Sequence, residues 1–211
     1  MAKVTKEEAM LTRHRLLDSA ETVFHSKGFS RTTLEDIAQE AGFTRGAVYW
    51  HFKNKSDVFH AMCERARLPM EEIAEAVTDS ALNDPLEHLR LLCISFLKKS
   101  VEDKHCQKVF DILFHKCEFV DPADPVYKRQ QEAFKRAEKL VENLLKRAVL
   151  KKLLPINLDT RMATIIFRAT IEGILRSWLF LPQHYNLKNQ AENLVDACID
   201  TLRFGKTLQK K

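Results

Sequence analysis

At 211 residues, with 45% hydrophobic and 30% charged side chains, the chain is long enough to bury a core without disulfide or metal staples and has the composition of a globular protein. Five glycines and six prolines are too few for the turns of an all-β sandwich or barrel. No apolar run has the length to cross a bilayer, and the polar start Thr5-Lys6-Glu7-Glu8 holds no secretory core. The formal charge of +5 permits a nucleic-acid partner without demanding one. Five cysteines, none at Cys-x-x-Cys spacing, are expected to be reduced thiols of a cytoplasmic protein.

The chain reads as helix after helix, which predicts an all-α fold. Leu16, Leu17, Ala20, Val23 and Phe24 recur at helical spacing and predict a first helix from Glu7 to Lys27, stopped by Gly28. Thr33-x-x-Asp36 resembles a capping box opening a second helix that Gly42 ends. Thr44 can cap a very short third, Arg45 to Phe52, and Ser56 is expected to cap a fourth with Val58, Phe59 and Met62 inward. Pro69 predicts a kink or break near Leu68.

Asp84-Pro85 opens a fifth helix, and Cys106 to about Phe119 reads as a compact sixth. After the turn Asp121 to Pro125, Val126 to Leu150 is a long amphipathic helix with Phe134, Ala137, Val141, Leu144, Leu145 and Ala148 inward. Asp159 to about Leu181 is apolar on more than one face, as in a helix that is buried or held between its own core and a partner. Leu187 to about Phe204 carries a seam (Ala191, Leu194, Val195, Cys198, Ile199, Leu202) able to face another subunit. The tail from Gly205 is expected to fray.

The segment from Thr33 to Lys55 is the informative one. Two short helices joined by Gly42-Phe43 form a helix-turn-helix pattern. The second is dense with groups that reach nucleic acid: Thr44, Arg45, Tyr49, Trp50 and His51, beside the small Gly46 and Ala47. Arg45 can donate to guanine edges or to phosphate. Thr33 and Ser56 head helices whose N-termini favour a phosphate, with Lys53 and Lys55 beside the second. The same pattern occurs in all-α domains that touch no DNA, and Tyr49, Trp50 and Phe52 read equally as core aromatics, Phe52 most of all through its i+4 partner Val48.

Gly28 to Phe59, with Thr33-Leu34-Glu35-Asp36-Ile37-Ala38, Ala41-Gly42-Phe43-Thr44-Arg45-Gly46-Ala47-Val48-Tyr49-Trp50-His51-Phe52 and Lys55-Ser56 at its centre, resembles without a gap the N-terminal signature of the TetR family of bacterial transcriptional repressors. Thr5 to Ala9, Ile112 to Phe119 and Trp178 to Pro182 are similar to its branch of multidrug efflux pump repressors, the AcrR/TtgR type. The resemblance implies a three-helix DNA-binding domain over 1–55 and an effector-binding and dimerisation domain over 56–211. It implies Arg45 as base reader, Thr33, Thr44, Tyr49, His51 and Lys55 as phosphate holders, and Gly46 as the point of close approach. The partners implied are double-stranded operator DNA, a small hydrophobic or aromatic effector, and a second copy of the chain held through the last two helices.

The effector pocket of such a repressor is expected among Leu92, Phe96, Phe110, Leu113, Phe114, Phe167, Ile171, Leu175 and Trp178, most of them core residues first. Arg168 and Glu172 stand four apart, able to pair or to face the pocket. Asp111 and His115 are likewise four apart but lack the third and fourth ligands of a metal site, and no cofactor or metal is expected. Pro69 is the candidate hinge between pocket and DNA domain. With no catalytic triad, phosphate loop or metal motif, an all-α enzyme is disfavoured. A DNA-binding regulator without a ligand is the other rival.

Overall fold

Two glycines divide the N-terminal part of the chain. Gly28 (φ 79°) ends α1 (Lys6–Lys27) and Gly42 (φ 70°) ends α2 (Leu34–Ala41), both in backbone conformations that strain a side chain. Capping boxes open both helices, Thr5 with Glu8 and Thr33 with Asp36. The computed structural model describes residues 5–80, 83–118 and 125–210, without the side chains of 68–80. It continues with α3 (Arg45–His51), α4 (Lys55–Ser80), α5 (Pro85–Glu102), α6 (Lys104–Asp111), a π-helical turn (Ile112–Lys116), α7 (Pro125–Leu150), α8 (Thr160–Phe180) and α9 (Leu187–Phe204). The protein is all-α; the described residues pair as β structure only at one isolated bridge, Leu158 with Gln209.

The chain forms two compact units, Met1–Arg67 with Lys108–Lys128, and Leu68–Gln107 with Arg129–Lys211. In the first, α1 packs on α2 and α2 on α3, whose Val48 is fully buried. Phe24, Phe29 and Phe59 meet with ring centroids 4.8–5.6 Å apart, the spacing of tilted and edge-on aromatic pairs. Residues 56–67, expected in the second domain, cluster with the first unit because Val58, Phe59 and Met62 supply one wall of its core. Arg65 closes that wall, pairing with the buried Glu21 and, at 2.7 Å, with Asp18.

In the second unit α5 packs on α9, and α8 on α9. Leu89, Leu97, Phe167, Leu175, Val195 and Leu202 are buried. Arg90 grips Asp196 through two nitrogens at 2.5 and 3.0 Å, and Lys98 reaches Glu192 at 2.6 Å. Asp84, Asp159 and Asn186 cap α5, α8 and α9 as their sequence positions allow.

Several local expectations are corrected. Asn54, not Ser56, caps α4: its Oδ1 accepts from the Asp57 amide at 2.8 Å, while the Lys53 amide donates to Asp57. The break at Leu68 does not occur, because α4 continues as helix through Pro69, whose missing amide costs one hydrogen bond in a 26-residue helix. On α7, Phe134 and Ala137 do not join the core, while Leu144, Leu145 and Ala148 are buried; the Phe134 ring is covered by Arg168 at 4.0 Å instead. The tail does not fray as far as Lys210. Leu208 is buried, its carbonyl accepts from Asp159 N at 2.7 Å, and Lys210 N donates to Asn157 O at 2.7 Å. The sixth helix is also shorter than expected: α6 ends at Asp111 and passes into the π-helical turn. Phe119 and the expected turn from Asp121 to Asp124 lie outside the described residues.

Candidate nucleic-acid interface

The seven residues of α3 divide between the interior and solvent. Thr44 caps the helix, its hydroxyl accepting from Ala47 N at 3.3 Å. Val48 and Phe52 are buried and anchor the helix, which makes Phe52 a core aromatic. Arg45, Gly46, Tyr49 and Trp50 are exposed, Trp50 by 70%, so neither Tyr49 nor Trp50 is a core residue. Arg45 donates to the Tyr49 hydroxyl at 3.1 Å and lies over its ring at 5.3 Å. That hydrogen bond raises the guanidinium pKa further. It also fixes a long cationic side chain before any ligand arrives, which lowers the ordering cost of binding.

His51 is half-buried, its ring edge-on to Trp50 at 4.5 Å. Burial, and then the charge of Arg13, lower its pKa, so it is a neutral hydrogen-bonding group at pH 7. Gly46 is exposed, and a Cβ there would find nothing closer than Thr44 Oγ1 at 3.8 Å. The fold itself therefore does not require glycine at this position.

Two candidates are placed otherwise than as free donors. Thr33 is exposed, but its amide and hydroxyl donate to Asp36 Oδ2 at 2.8 and 2.7 Å. Asp36 is also paired with Lys27 at 2.7 Å, and Lys27 followed by Thr33 holds its pKa well below the usual carboxylate range. Lys55 turns inward. Its Nζ donates to the carbonyls of Phe29 at 2.8 Å and Ser30 at 3.0 Å and lies over the Phe29 ring, because the α1–α2 loop leaves those carbonyls without helical partners.

Arg13 and Arg15 are absent from the residues that sequence reasoning singles out. Arg13 lies over the Phe52 ring at 5.2 Å and Arg15 over Phe43 at 4.9 Å, at either end of α3. The run Arg13-His14-Arg15, directly before the buried stripe of α1, is the signal that could have found them.

The effector candidates fall in both units. In the first, Phe110 and Phe114 stack 6.1 Å apart and, with Leu113, are half-buried. Asp111 sits between two histidines, 2.8 Å from His115 Nδ1 and 3.0 Å from His25 Nε2, one carboxylate oxygen to each. In the second unit, Leu92 and Phe96 are half-buried, while Phe167, Ile171, Leu175 and Trp178 are core. Trp178 also donates to Tyr185 O at 3.2 Å. Arg168 pairs with Glu172 and donates to Phe134 O at 3.1 Å, so the charge of Glu172 is already met.

Elsewhere on α8 the apolar surface is open. Met162, Ile165 and Ile166 are exposed, and a groove of about 320 Å³ runs along Ile166, Thr170, Ile174, Leu194 and Thr201 of α8 and α9. No helix among the described residues is long and apolar enough to cross a membrane.

Comparison with known proteins bears on both units. Residues 16–62 match the family of bacterial regulatory proteins, tetR family, and residues 84–204 match the C-terminal region of MAATS-type transcriptional repressors. The chain is 38% identical over 209 residues to the HTH-type transcriptional regulator AcrR of Shigella flexneri, covering 99% of this chain and 97% of that one. NalD, the secondary repressor of the MexAB-OprM multidrug efflux pump in Pseudomonas aeruginosa, superposes with a TM-score of 0.83 at 33% identity, covering 94% of this chain and 99% of that one. SmeT, the repressor of the Stenotrophomonas maltophilia multidrug efflux pump SmeDEF, superposes in its triclosan complex with a TM-score of 0.75 at 34% identity, covering 95% and 96% of the two chains.

Proposed function

This chain belongs to the TetR family of bacterial transcriptional regulators, and we propose that it represses a multidrug efflux pump operon and is released from its operator by lipophilic or aromatic drugs. It is a DNA-binding regulator and not an enzyme. The observation that carries the proposal is α3: Arg45, Tyr49 and Trp50 stand in solvent on a short helix whose buried side is locked by Val48 and Phe52. Arg45 reads bases, Thr44, Tyr49 and His51 contact phosphates, and Gly46 lets the backbone approach. Lys55 holds a phosphate through an ammonium N–H other than those given to the Phe29 and Ser30 carbonyls, whereas Thr33, with amide and hydroxyl both committed to Asp36, holds one only by giving up that carboxylate.

A homodimer through α8 and α9 is the second part of the reading, supported by the exposed aliphatic surface of α8 and the groove beside it. A two-fold dimer sets its recognition helices about 34–36 Å apart, one turn of duplex. The effector is a small apolar or aromatic molecule, in keeping with the pump repressors among the relatives and with the triclosan complex of SmeT. It contacts part of the set Leu92, Phe96, Phe110, Leu113, Phe114, Phe167, Arg168, Ile171, Glu172, Leu175 and Trp178.

Release is a population shift. A ligand that prefers the non-binding arrangement lowers operator affinity by the ratio of its affinities for the two states. The chain passes from the first unit to the second inside α4, between Arg67 and Leu68, which supports the neighbouring Pro69 as the point that flexes. Such a regulator works in the cytoplasm, where operator and reduced thiols are found together.

Gel shift tests the whole reading, using duplexes from upstream of the protein's own gene and of a neighbouring pump operon. A retarded band that disappears with aromatic drugs is expected, with the same drugs raising the melting midpoint of the free protein. A band that no drug removes, with no drug moving the midpoint, would establish the ligand-free rival.

A further inference from the structure

We infer that Arg13 and Arg15 of α1 bind DNA phosphates on the two sides of the recognition helix, making α1 part of the DNA interface; this rests on the reading of α3 as the helix that enters the groove. Phe43 immediately precedes the cap of α3, and Phe52 immediately follows its last residue. Arg15 lies over the first ring at 4.9 Å and Arg13 over the second at 5.2 Å. The two guanidinium groups thereby mark the two ends of α3. That helix is about 10 Å long at 1.5 Å per residue, close to the roughly 12 Å width of the major groove. Cations at its ends are placed to meet the phosphate rail on either side.

The lack of a polar partner sets these side chains apart from several basic neighbours. Lys27 is paired with Asp36, Arg65 with Asp18 and Glu21, and Arg67 with Glu64. Arg31 and Lys55 donate to backbone carbonyls. Among the described residues neither Arg13 nor Arg15 has an ion pair or hydrogen bond, and both are exposed. An aromatic face holds a cation by its quadrupole without cancelling its charge. The five N–H donors of each guanidinium stay available for the forked contact that phosphate accepts. Arg13 also lies close enough to His51 for its charge to be felt there.

The sequence explains the position. Arg13 lies one turn ahead of Leu16 and Leu17, where the buried stripe of α1 runs out. Its stem continues that stripe over Phe52 and its head emerges in solvent.

The test is the salt dependence of binding, measured on the duplex from upstream of the protein's own gene and on a shuffled duplex of equal length. Arg13→Gln and Arg15→Gln, singly and together, are compared with Arg45→Ala and with the charge-keeping Arg13→Lys/Arg15→Lys pair. Each lost phosphate contact lowers the slope of log K against log [salt] by about one per subunit. The double Gln variant is therefore expected to lose about four units in a dimer. Its affinity at about 0.1 M salt should fall by roughly two to three orders of magnitude on both duplexes, with discrimination between them unchanged. The Lys pair should retain most of the slope. Slopes equal to wild type in both single Gln variants overturn the inference, and so does a lowered melting midpoint with an unaltered slope in the Gln and Lys variants alike. Failure of the α3 reading is separate: Arg45→Ala would then leave discrimination intact.

Discussion

Helices α3 and α8 both hold large apolar side chains out in solvent, and they do so in opposite chemical company. On α3 the exposed rings are Tyr49 and Trp50, each with a polar handle, next to Arg45, His51 and the unneutralised arginines of α1. On α8 they include Met162, Ile165 and Ile166, with no hydrogen-bonding side-chain atoms of weight to offer and a groove of apolar and small residues alongside. The first surface loses little by staying wet and gains from a polyanion. The second gains only when water is removed by another apolar surface. Exposure by itself does not name a partner; the atoms next to the exposed group do.

That contrast is most easily broken at Ile166. Ile166→Glu would place an unpaired carboxylate in the proposed α8–α9 interface, and dimer dissociation is expected to rise by about a thousandfold, roughly 4 kcal/mol. Sedimentation should find monomers, with operator binding lost and helix content kept. Dimers at wild-type strength would show that α8 does not meet a second copy.

The α3 half is sharpened by Gly46→Ala. Because a Cβ has room there, the free protein is expected to gain about 0.5–1 kcal/mol from the better helix former. Operator affinity is expected to fall tenfold or more as the added methyl meets the duplex, and melting and gel shift together read both signs. A variant that binds as well as wild type would mean that the backbone makes no close approach at this residue.

The smallest effect concerns pH. The pKa of His51 is lowered by burial, so its ring is neutral above about pH 6.5, the ordinary histidine value. The unfolded chain takes up a proton before the folded one does. Stability from this group is therefore full above about pH 6.5 and falls as pH drops toward the lowered folded value. A phosphate beside the ring favours the proton, so operator affinity should stay flat through neutrality and rise a few-fold only below the usual histidine range. His51→Asn should remove that rise in a pH titration of gel-shift affinity.

What the sequence discloses and what it withholds follow the range of the interactions involved. The buried stripe of α1, the Thr33 capping box and the Gly42 turn are local, set by residues three or four apart, and they are legible. So are the extent and cap of α3 and the burial of Phe52, but the same pattern leaves Tyr49 and Trp50 equally readable as core, and only the structure puts them in solvent. Lys55 reads as a free charge because its carbonyl partners lie 25 and 26 residues earlier, beyond any local pattern. Helical spacing alone puts Phe134 inside, but its cover is an arginine 34 residues later. The polar residues of the tail suggest fraying, and one leucine, Leu208, decides the matter through contacts with the start of α8. Ser56 and Asn54 are both good caps, and only the geometry of the Asp57 amide chooses between them.

Gly28 carries a consequence at the scale of a bacterial population. Its φ of 79° suits no ordinary side chain, and an added Cβ would stand 3.2 Å from the carbonyl of Lys116, the same carbonyl that accepts from the Phe29 amide at 2.9 Å. Any missense change at this codon both strains the end of α1 and wedges it from the segment it is tied to. In a repressor such damage is a gain for the cell under drug: expression of the target no longer waits for an inducer. Under the proposed control of an efflux operon, codon 28 is thus a place where antibiotic selection should recurrently harvest spontaneous variants.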